Sequence, residues 1–338
     1  MRIVLDAMGS DNYPDPEIEA ALEAKVLIGE KVILVGQEEL LKPKLEALGG
    51  LDMVQIVHAP EVLKMTDKPS RTARRKAENS MAVGMELLKS GEADGFVTAG
   101  NTGGAMANSL FRLSRIPGVK RPALIALIPV EGGRAAMLDL GANTECKPEF
   151  LVQFAIMGSL YVEKLRGVNN PRVALLSNGE EAGKGNQLVK DTYPLMETLG
   201  LNFIGNAEPK EFYTGQVDVA ITDGFTGNIF VKTSESVSKF LFTLLKDELT
   251  SSLRTTLGAG LAKPAFETIR KLMDPGEVGA LPLLGIDGLV FVAHGRSDAR
   301  ALVNGIKACR QAVEVDLLGA LRTAIQERLE TIRVRDAS

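Results

Sequence analysis

Short runs of β-branched and aliphatic residues alternate with longer stretches of helical periodicity along almost the whole chain. That is the pattern of βαβ units building a parallel sheet. Strands are predicted at residues 3–6, 32–35, 54–57, 95–98, 124–129, 136–140, 173–177, 217–222 and 289–293. Most are continuously apolar, as strands covered on both faces are. Helices are predicted over 15–28, 70–89, 102–113, 148–165, 187–199, 228–249 and 298–322. The expectation is an α/β fold, a mostly parallel sheet with helices on both faces, forming one catalytic unit over residues 1–338.

The rhythm breaks once, at 250–285, where Gly, Pro and Ser rise. Leu253, Leu257 and Leu261 recur every four residues there, and past Pro264 the stripe continues through Phe266, Ile269, Leu272 and Met273. Arg254, Lys263, Arg270 and Lys271 lie beside it. Two short amphipathic helices, interrupted at 258–260 and at Pro264, are expected to protrude from the core. The stripe has two readings. It packs against the body or a dimer partner, or it is a peripheral membrane foot in which Leu257, Leu261, Phe266 and Ile269 enter the lipid interface.

Ligands of open parallel sheets gather where strand ends meet helix N-termini. Six polar, glycine-bearing loops follow predicted strands: DAMGSD (6–11), TAGNTGG (98–104), DLGANTECKPE (139–149), SNGEEAGKGN (177–186), DGFTGN (223–228) and AHGRSD (293–298). One such loop would be a turn requirement of glycine. Six, each rich in Asn, Asp, Thr or Ser, suit a bound anion held by backbone N–H groups and side-chain donors. The candidate anion-binding residues are Asp6, Gly9, Asn101, Thr102, Gly103, Gly104, Asn143, Asn178, Gly183, Gly185, Asp223, Gly227 and His294. Lys184, between two glycines, is either a solvated loop lysine or a cation aimed at phosphate or a developing oxyanion. Asn228, after Gly227, is either a helix N-cap or a catalytic donor.

Familiar nucleotide motifs fail. GEEAGKG (179–185) has only three residues between Gly179 and Gly183, with Gly185 where a P-loop needs Ser or Thr. GKGNQL (183–188) has Leu at the third glycine position of a dinucleotide fingerprint, and no GxSxG elbow exists. In KPSRTARRKAENS (68–80), Ser70 is the expected N-cap, which crowds Arg71, Arg74, Arg75 and Lys76 into the first turns against the helix dipole. They are a solvated face, or they meet an anionic partner: phosphate, or an acidic carrier protein.

Composition narrows the classes. The chain has 39 basic and 43 acidic side chains, net −4, which argues against nucleic acid as a partner. Its two cysteines, Cys146 and Cys309, fit no metal pattern and suit a reducing compartment, and two histidines make a histidine metal site unexpected. The opening MRIVLDAMGSD reads as a strand and not a signal peptide. No apolar run nears the roughly 20 residues of a membrane span. A cytoplasmic protein with no cofactor or metal is expected.

The set MRIVLDAMGSD, TAGNTGG, DLGAN, LSNGEEAGKGN, DGFTGN and HGRSD, in this order from residue 1 to about 320, resembles the phosphate acyltransferase family of bacterial phospholipid synthesis. The resemblance implies an isocitrate/isopropylmalate-dehydrogenase-like fold, a homodimer, and transfer of a long-chain acyl group from acyl carrier protein to inorganic phosphate. It also implies that the acyl phosphate passes to a membrane glycerol-3-phosphate acyltransferase. The residues agree with such chemistry: phosphate is itself an anionic nucleophile, so the protein needs only to position it and stabilise an oxyanion. Lys184 is assigned to that charge and Asn228 to the reacting carbonyl. Arg71, Arg74 and Arg75 are the expected carrier contacts. Three other readings compete: a phosphate acetyl- or butyryltransferase using acyl-CoA, a nicotinamide-dependent dehydrogenase on the same fold, and a non-enzymatic membrane scaffold.

Overall fold

The computed structural model describes residues 1–29 and 31–336, and the side chains of all of these except 70, 275 and 329–336. The chain begins β1 (Ile3–Asp6), α1 (Asp15–Ile28), β2 (Ile33–Gly36), α2 (Glu38–Ala47), β3 (Gln55–His58), α3 (Pro69–Arg75) and α4 (Ser80–Lys89). It continues β4 (Gly95–Thr98), α5 (Thr102–Arg112), β5 (Ala123–Val130), β6 (Gly133–Leu138), α6 (Pro148–Arg166), β7 (Val173–Leu176) and α7 (Gln187–Glu197). Then come β8 (Phe203–Ala207), α8 (Pro209–Tyr213), β9 (Val219–Ile221), α9 (Gly224–Leu249) and α10 (Leu253–Met273). It closes with β10 (Ala280–Leu284), β11 (Val290–Ala293), α11 (Ala299–Glu314) and α12 (Leu317–Asp336).

The strands form one 11-stranded sheet in the order β3-β2-β1-β4-β11-β10-β5-β6-β9-β7-β8. Side chains alternate across it. Ile3 and Leu5 join a core under α1, α6, α7 and α11, while Val4 joins a second core under α4, α5 and α8. This is the expected α/β architecture, a mostly parallel sheet between helical layers.

Its direction reverses in the middle. β3, β2, β1, β4 and β11 are mutually parallel, as are β6, β9, β7 and β8. Between them β10 pairs antiparallel with β11 and β5, and β5 pairs antiparallel with β6. The carboxyl ends of the two parallel halves therefore lie at opposite edges, and β10, five residues or about 15 Å long, runs from one edge to the other.

Several sequence expectations change. The predicted helix over 70–89 is two, because Asn79 caps α4 by accepting the Ala82 N–H and Lys76 is drawn aside to the Val62 carbonyl and Asp67. Lys68, not Ser70, holds the N-cap position of α3, and the Ser70 side chain lies outside the described residues. Arg74 and Arg75 then fall in the last turn, where cations suit the dipole; only Arg71 stays near its start. The 298–322 helix also divides, after Glu314. The 187–199 helix ends early, at Glu197.

The excursion differs most. Its helix is a single one, α10, running through Gly258, Gly260 and Pro264, with Ser252 and Thr255 forming a capping box at its start. Proline costs a helix one hydrogen bond, which an exposed helix transfers to water. None of the α10 residues is buried, and residues 280–284 belong to the sheet as β10, so the excursion is shorter than expected. β8, β10, α2 and α8 were not foreseen.

Candidate active site

Three of the six loops meet at the edge of β1, β4 and β11. Asp6 is fully buried; its Oδ2 accepts the Thr98 hydroxyl at 2.6 Å and its Oδ1 the Met8 N–H at 3.1 Å. Burial raises its pKa above the ordinary carboxylate range. A Cβ on Gly9 would lie 2.8 Å from the Gly100 nitrogen, so this glycine lets two loops touch. The Asp11 N–H donates to the Gly295 carbonyl at 2.7 Å. Asn101 caps α5, accepting the Gly104 N–H at 3.0 Å and donating to the Met65 carbonyl at 2.9 Å. Gly103 and Gly104 pack against Pro69 and Leu63, where a Cβ would come within 2.7 Å. Thr102 and His294 are exposed. Behind this set, Glu17 is buried and accepts the Ser10 N–H at 2.9 Å; its Oε2 has no partner among the described residues. Burial lifts its pKa from 4.5 to about 7.

The other three loops meet at the edge of β6, β9 and β7. Asp139 is fully buried and accepts N–H groups from Leu124, Ala142 and Asn143. Burial again raises its pKa. Asn143 donates to Asp139 at 2.8 Å and to the Pro122 carbonyl at 2.7 Å, while its own carbonyl accepts the Gly224 N–H at 2.8 Å. Asp223, not Asn228, caps α9, bonding the Thr226 N–H and hydroxyl. Asn228 lies inside the helix and donates to the Leu140 carbonyl at 3.1 Å. A Cβ on Gly227 would sit 2.1 Å from the Asp139 carbonyl oxygen, so α9 can start this close to the loop only with glycine there.

Next to these, after β7, the Asn178 side chain accepts the Gly185 N–H at 3.0 Å, and Gly185 holds φ +98°. Gly183 is open to solvent, with no atom near its Cβ position. Lys184 is exposed, its stem over Gly179, and it makes no ion pair among the described residues. Cys146 is half-buried on the Asp139 loop, and burial, then the Asp139 charge, pushes its thiol up to about 12. Burial raises Cys309 as well. No hydrogen bond links the two sets of loops among the described residues. The sequence placed all six at strand ends but could not show that the ends divide between two edges.

Arg121 lies outside all six loops, since it precedes a strand and does not follow one. The antiparallel β5 brings its amino-terminal end to the same edge as Asp139, and the Lys-Arg-Pro before it was the available signal. Glu180, Glu208 and Glu211 bring carboxylate oxygens within 4.8 Å of one another, but Glu208 and Glu211 form the capping box of α8.

The comparisons with known proteins bear on the whole chain. A family described as fatty acid synthesis protein matches residues 1–319. A phosphate acyltransferase of Elusimicrobium minutum is 43% identical over 339 residues, covering 100% of this chain and 99% of the relative. One of Myxococcus xanthus is 45% identical over 319 residues, covering 93% and 90%. The chain belongs to the phosphate acyltransferase family. As a member it is an acyltransferase of lipid biosynthesis.

Solved structures share the fold of this family member. They include a EutD phosphotransacetylase from Staphylococcus aureus, with TM-score 0.59, 17% identity and coverage of 93% and 94%. A putative 4-hydroxythreonine-4-phosphate dehydrogenase from Salmonella typhimurium follows at TM-score 0.53, 14% identity and coverage of 92% and 98%. At such identity the likeness is one of fold alone. Among the described residues, no helix of this chain is long and apolar enough to cross a membrane.

Proposed function

We propose that this member of the family moves a long-chain fatty acyl group from acyl carrier protein to inorganic phosphate, giving an acyl phosphate for phospholipid synthesis. The observation that carries the reading is the full-length match to relatives named phosphate acyltransferase within a fatty acid synthesis family. The edge of β6, β9 and β7 supports it. A phosphate oxygen attacks the thioester carbonyl beside Lys184, whose charge stabilises the oxyanion, and Asn228 orients the carbonyl from the start of α9. The C–S bond breaks, the carrier thiolate leaves with its electron pair, and the C–O–P linkage forms. Both cysteines are held as thiols at neutral pH, which supports direct attack over an acyl-cysteine route.

The carrier docks, in this reading, on α3. Arg71, Arg74 and Arg75 are exposed there, with Arg74 stacked 5.1 Å from the Phe111 ring centroid, and an acidic carrier complements them. The α9–α10 hairpin supports a homodimer and a peripheral membrane contact. α9 exposes Phe240, Leu241, Leu244 and Leu245 for a second copy, while Leu257 and Leu261 of α10 are 74% and 88% exposed for lipid. A membrane glycerol-3-phosphate acyltransferase would then take the acyl phosphate at that surface. Vesicle sedimentation checks the foot: Leu257→Glu with Ile269→Glu loses binding to anionic vesicles while solution activity and dimer mass survive.

The test of the reaction compares donors. Purified protein is incubated with phosphate and either palmitoyl acyl carrier protein or palmitoyl-CoA. The expected result is free carrier and a hydroxylamine-trappable acyl phosphate from the carrier substrate. Product from acyl-CoA alone, or from neither donor, overturns the reading.

A further inference from the structure

Arg121 stands two residues before β5, at the edge where β6 delivers Asp139, because Ile125 of β5 faces Leu138 of β6. Its neighbour Pro122 is tied to the Asp139 loop by the Asn143 amide at 2.7 Å. The guanidinium carbon lies 5.7 Å from the Phe150 ring centroid, and its charge reaches the Cys146 thiol on the same loop. Arg121 is exposed, yet among the described residues no carboxylate pairs with it, although the loop carries Glu145 and Glu149. Lys120 and Lys147, also exposed, add positive charge beside it.

A surface arginine ordinarily moves freely or forms a salt bridge. Here the guanidinium lies against an aromatic ring and, among the described residues, no acid takes its charge. A planar cation resting on a ring, with no acid on it among the described residues, is suited to take two oxygens of a phosphoryl group at once, which a lysine cannot do. Along the edge the order is β5, β6, β9, β7, so Arg121 before β5 and Lys184 after β7 stand on either side of the start of α9.

We propose that Arg121 binds a phosphoryl group at this edge, opposite Lys184, as a substrate contact of the acyl transfer. The inference rests on the proposed function only for the source of that group: inorganic phosphate, or the phosphodiester of the carrier's prosthetic arm. Two arms of one experiment separate these. In the first, binding of radiolabelled inorganic phosphate to the full-length protein is measured by equilibrium dialysis, with no acyl donor present. In the second, KM values for phosphate and for palmitoyl acyl carrier protein are measured in turn.

Arg121→Ala is expected to weaken binding of one source about 10-fold, with its melting temperature unchanged. Arg121→Lys keeps the charge but loses the fork, and is expected to weaken it roughly 3-fold. A loss in phosphate binding and phosphate KM assigns Arg121 to inorganic phosphate. A loss confined to the carrier KM assigns it to the prosthetic arm. If folded Arg121→Ala, or folded Arg121→Gln should the alanine variant not fold, leaves all of these within 2-fold, the proposal is overturned. Because dialysis needs no turnover, a parent protein that binds phosphate but transfers no acyl group contradicts the proposed reaction and not this contact.

Discussion

At the edge of β1, β4 and β11, polar side chains are bonded to the loops around them. Asp6 holds Thr98, Asn101 holds Gly104 and Met65, and Glu17 holds Ser10. At the edge of β6, β9 and β7 the buried groups are tied just as firmly through Asp139 and Asn143, and Lys184 and Arg121 stand exposed without an ion pair among the described residues, as Arg296 does at the first edge. Within loops of similar composition, the two kinds of group have different physical roles. Buried groups bonded to the backbone hold it in place; an exposed cation without an acid is open to a ligand. The first edge should answer mutation in stability and the second in turnover.

The largest test of that contrast is Lys184→Ala. It should lower kcat by roughly 10²–10³-fold, the loss expected for one preorganised charge contact, with melting unchanged. Asn228→Ala should act similarly, while a large fall in melting temperature would make its bond to Leu140 purely structural. Activity within 2-fold of the parent would remove Lys184 from the site.

The next effect is on stability at the first edge. Glu17 keeps its proton to about pH 7 when folded, against 4.5 when unfolded. Below pH 4.5 both states hold the proton. As pH rises from 4.5 to 7 the unfolded chain releases it first, so stability falls, and above 7 the loss is complete. Glu17→Gln keeps an acceptor for Ser10 and should gain on the order of 2–3 kcal/mol at pH 8, with little gain at pH 4. An equal gain at both values would show that desolvation of the charge is not the cause.

A pair of glycines sharpens the comparison further. Gly9→Ala presses a methyl group against the Gly100 backbone and should cost about 1–3 kcal/mol of stability. Gly179→Ala meets flexible side chains, the stem of Lys184 at 2.7 Å from its Cγ and the Glu181 carboxylate at 3.2 Å, and should lower turnover roughly 10-fold with nearly normal melting. Matching phenotypes would erase the distinction between the edges. The smallest expected effect is at α3: Arg74→Glu with Arg75→Glu should raise the KM for acyl carrier protein several-fold, about as much as added salt does in the parent. A change in phosphate KM alone would move those cations to the small-ligand site.

Much of the fold was legible because continuous apolar runs mark strands covered on both faces. β1 and β4 stand where the pattern put them. β10 was not legible: Pro282 and the neighbouring glycines made ALPLL read as part of the excursion, yet the antiparallel β10 and β5 are what turn the second half of the sheet around. Pro264 and Gly258 suggested a broken helix, but a helix already exposed to water tolerates both. The loop residues were visible by type; their division between two edges was not, since strand direction depends on long-range pairing. Arg121 was hidden for the same reason.

The central claim is direct transfer from carrier thioester to phosphate without an acylated enzyme. Radiolabelled palmitoyl acyl carrier protein, mixed with excess enzyme and quenched in acid with and without phosphate, tests it. The account predicts no label on the enzyme in either case, and label in hydroxylamine-trappable acyl phosphate only when phosphate is present. Label accumulating on the protein in the absence of phosphate, on Cys146 or any other side chain, and chased into product when phosphate is added, would contradict it.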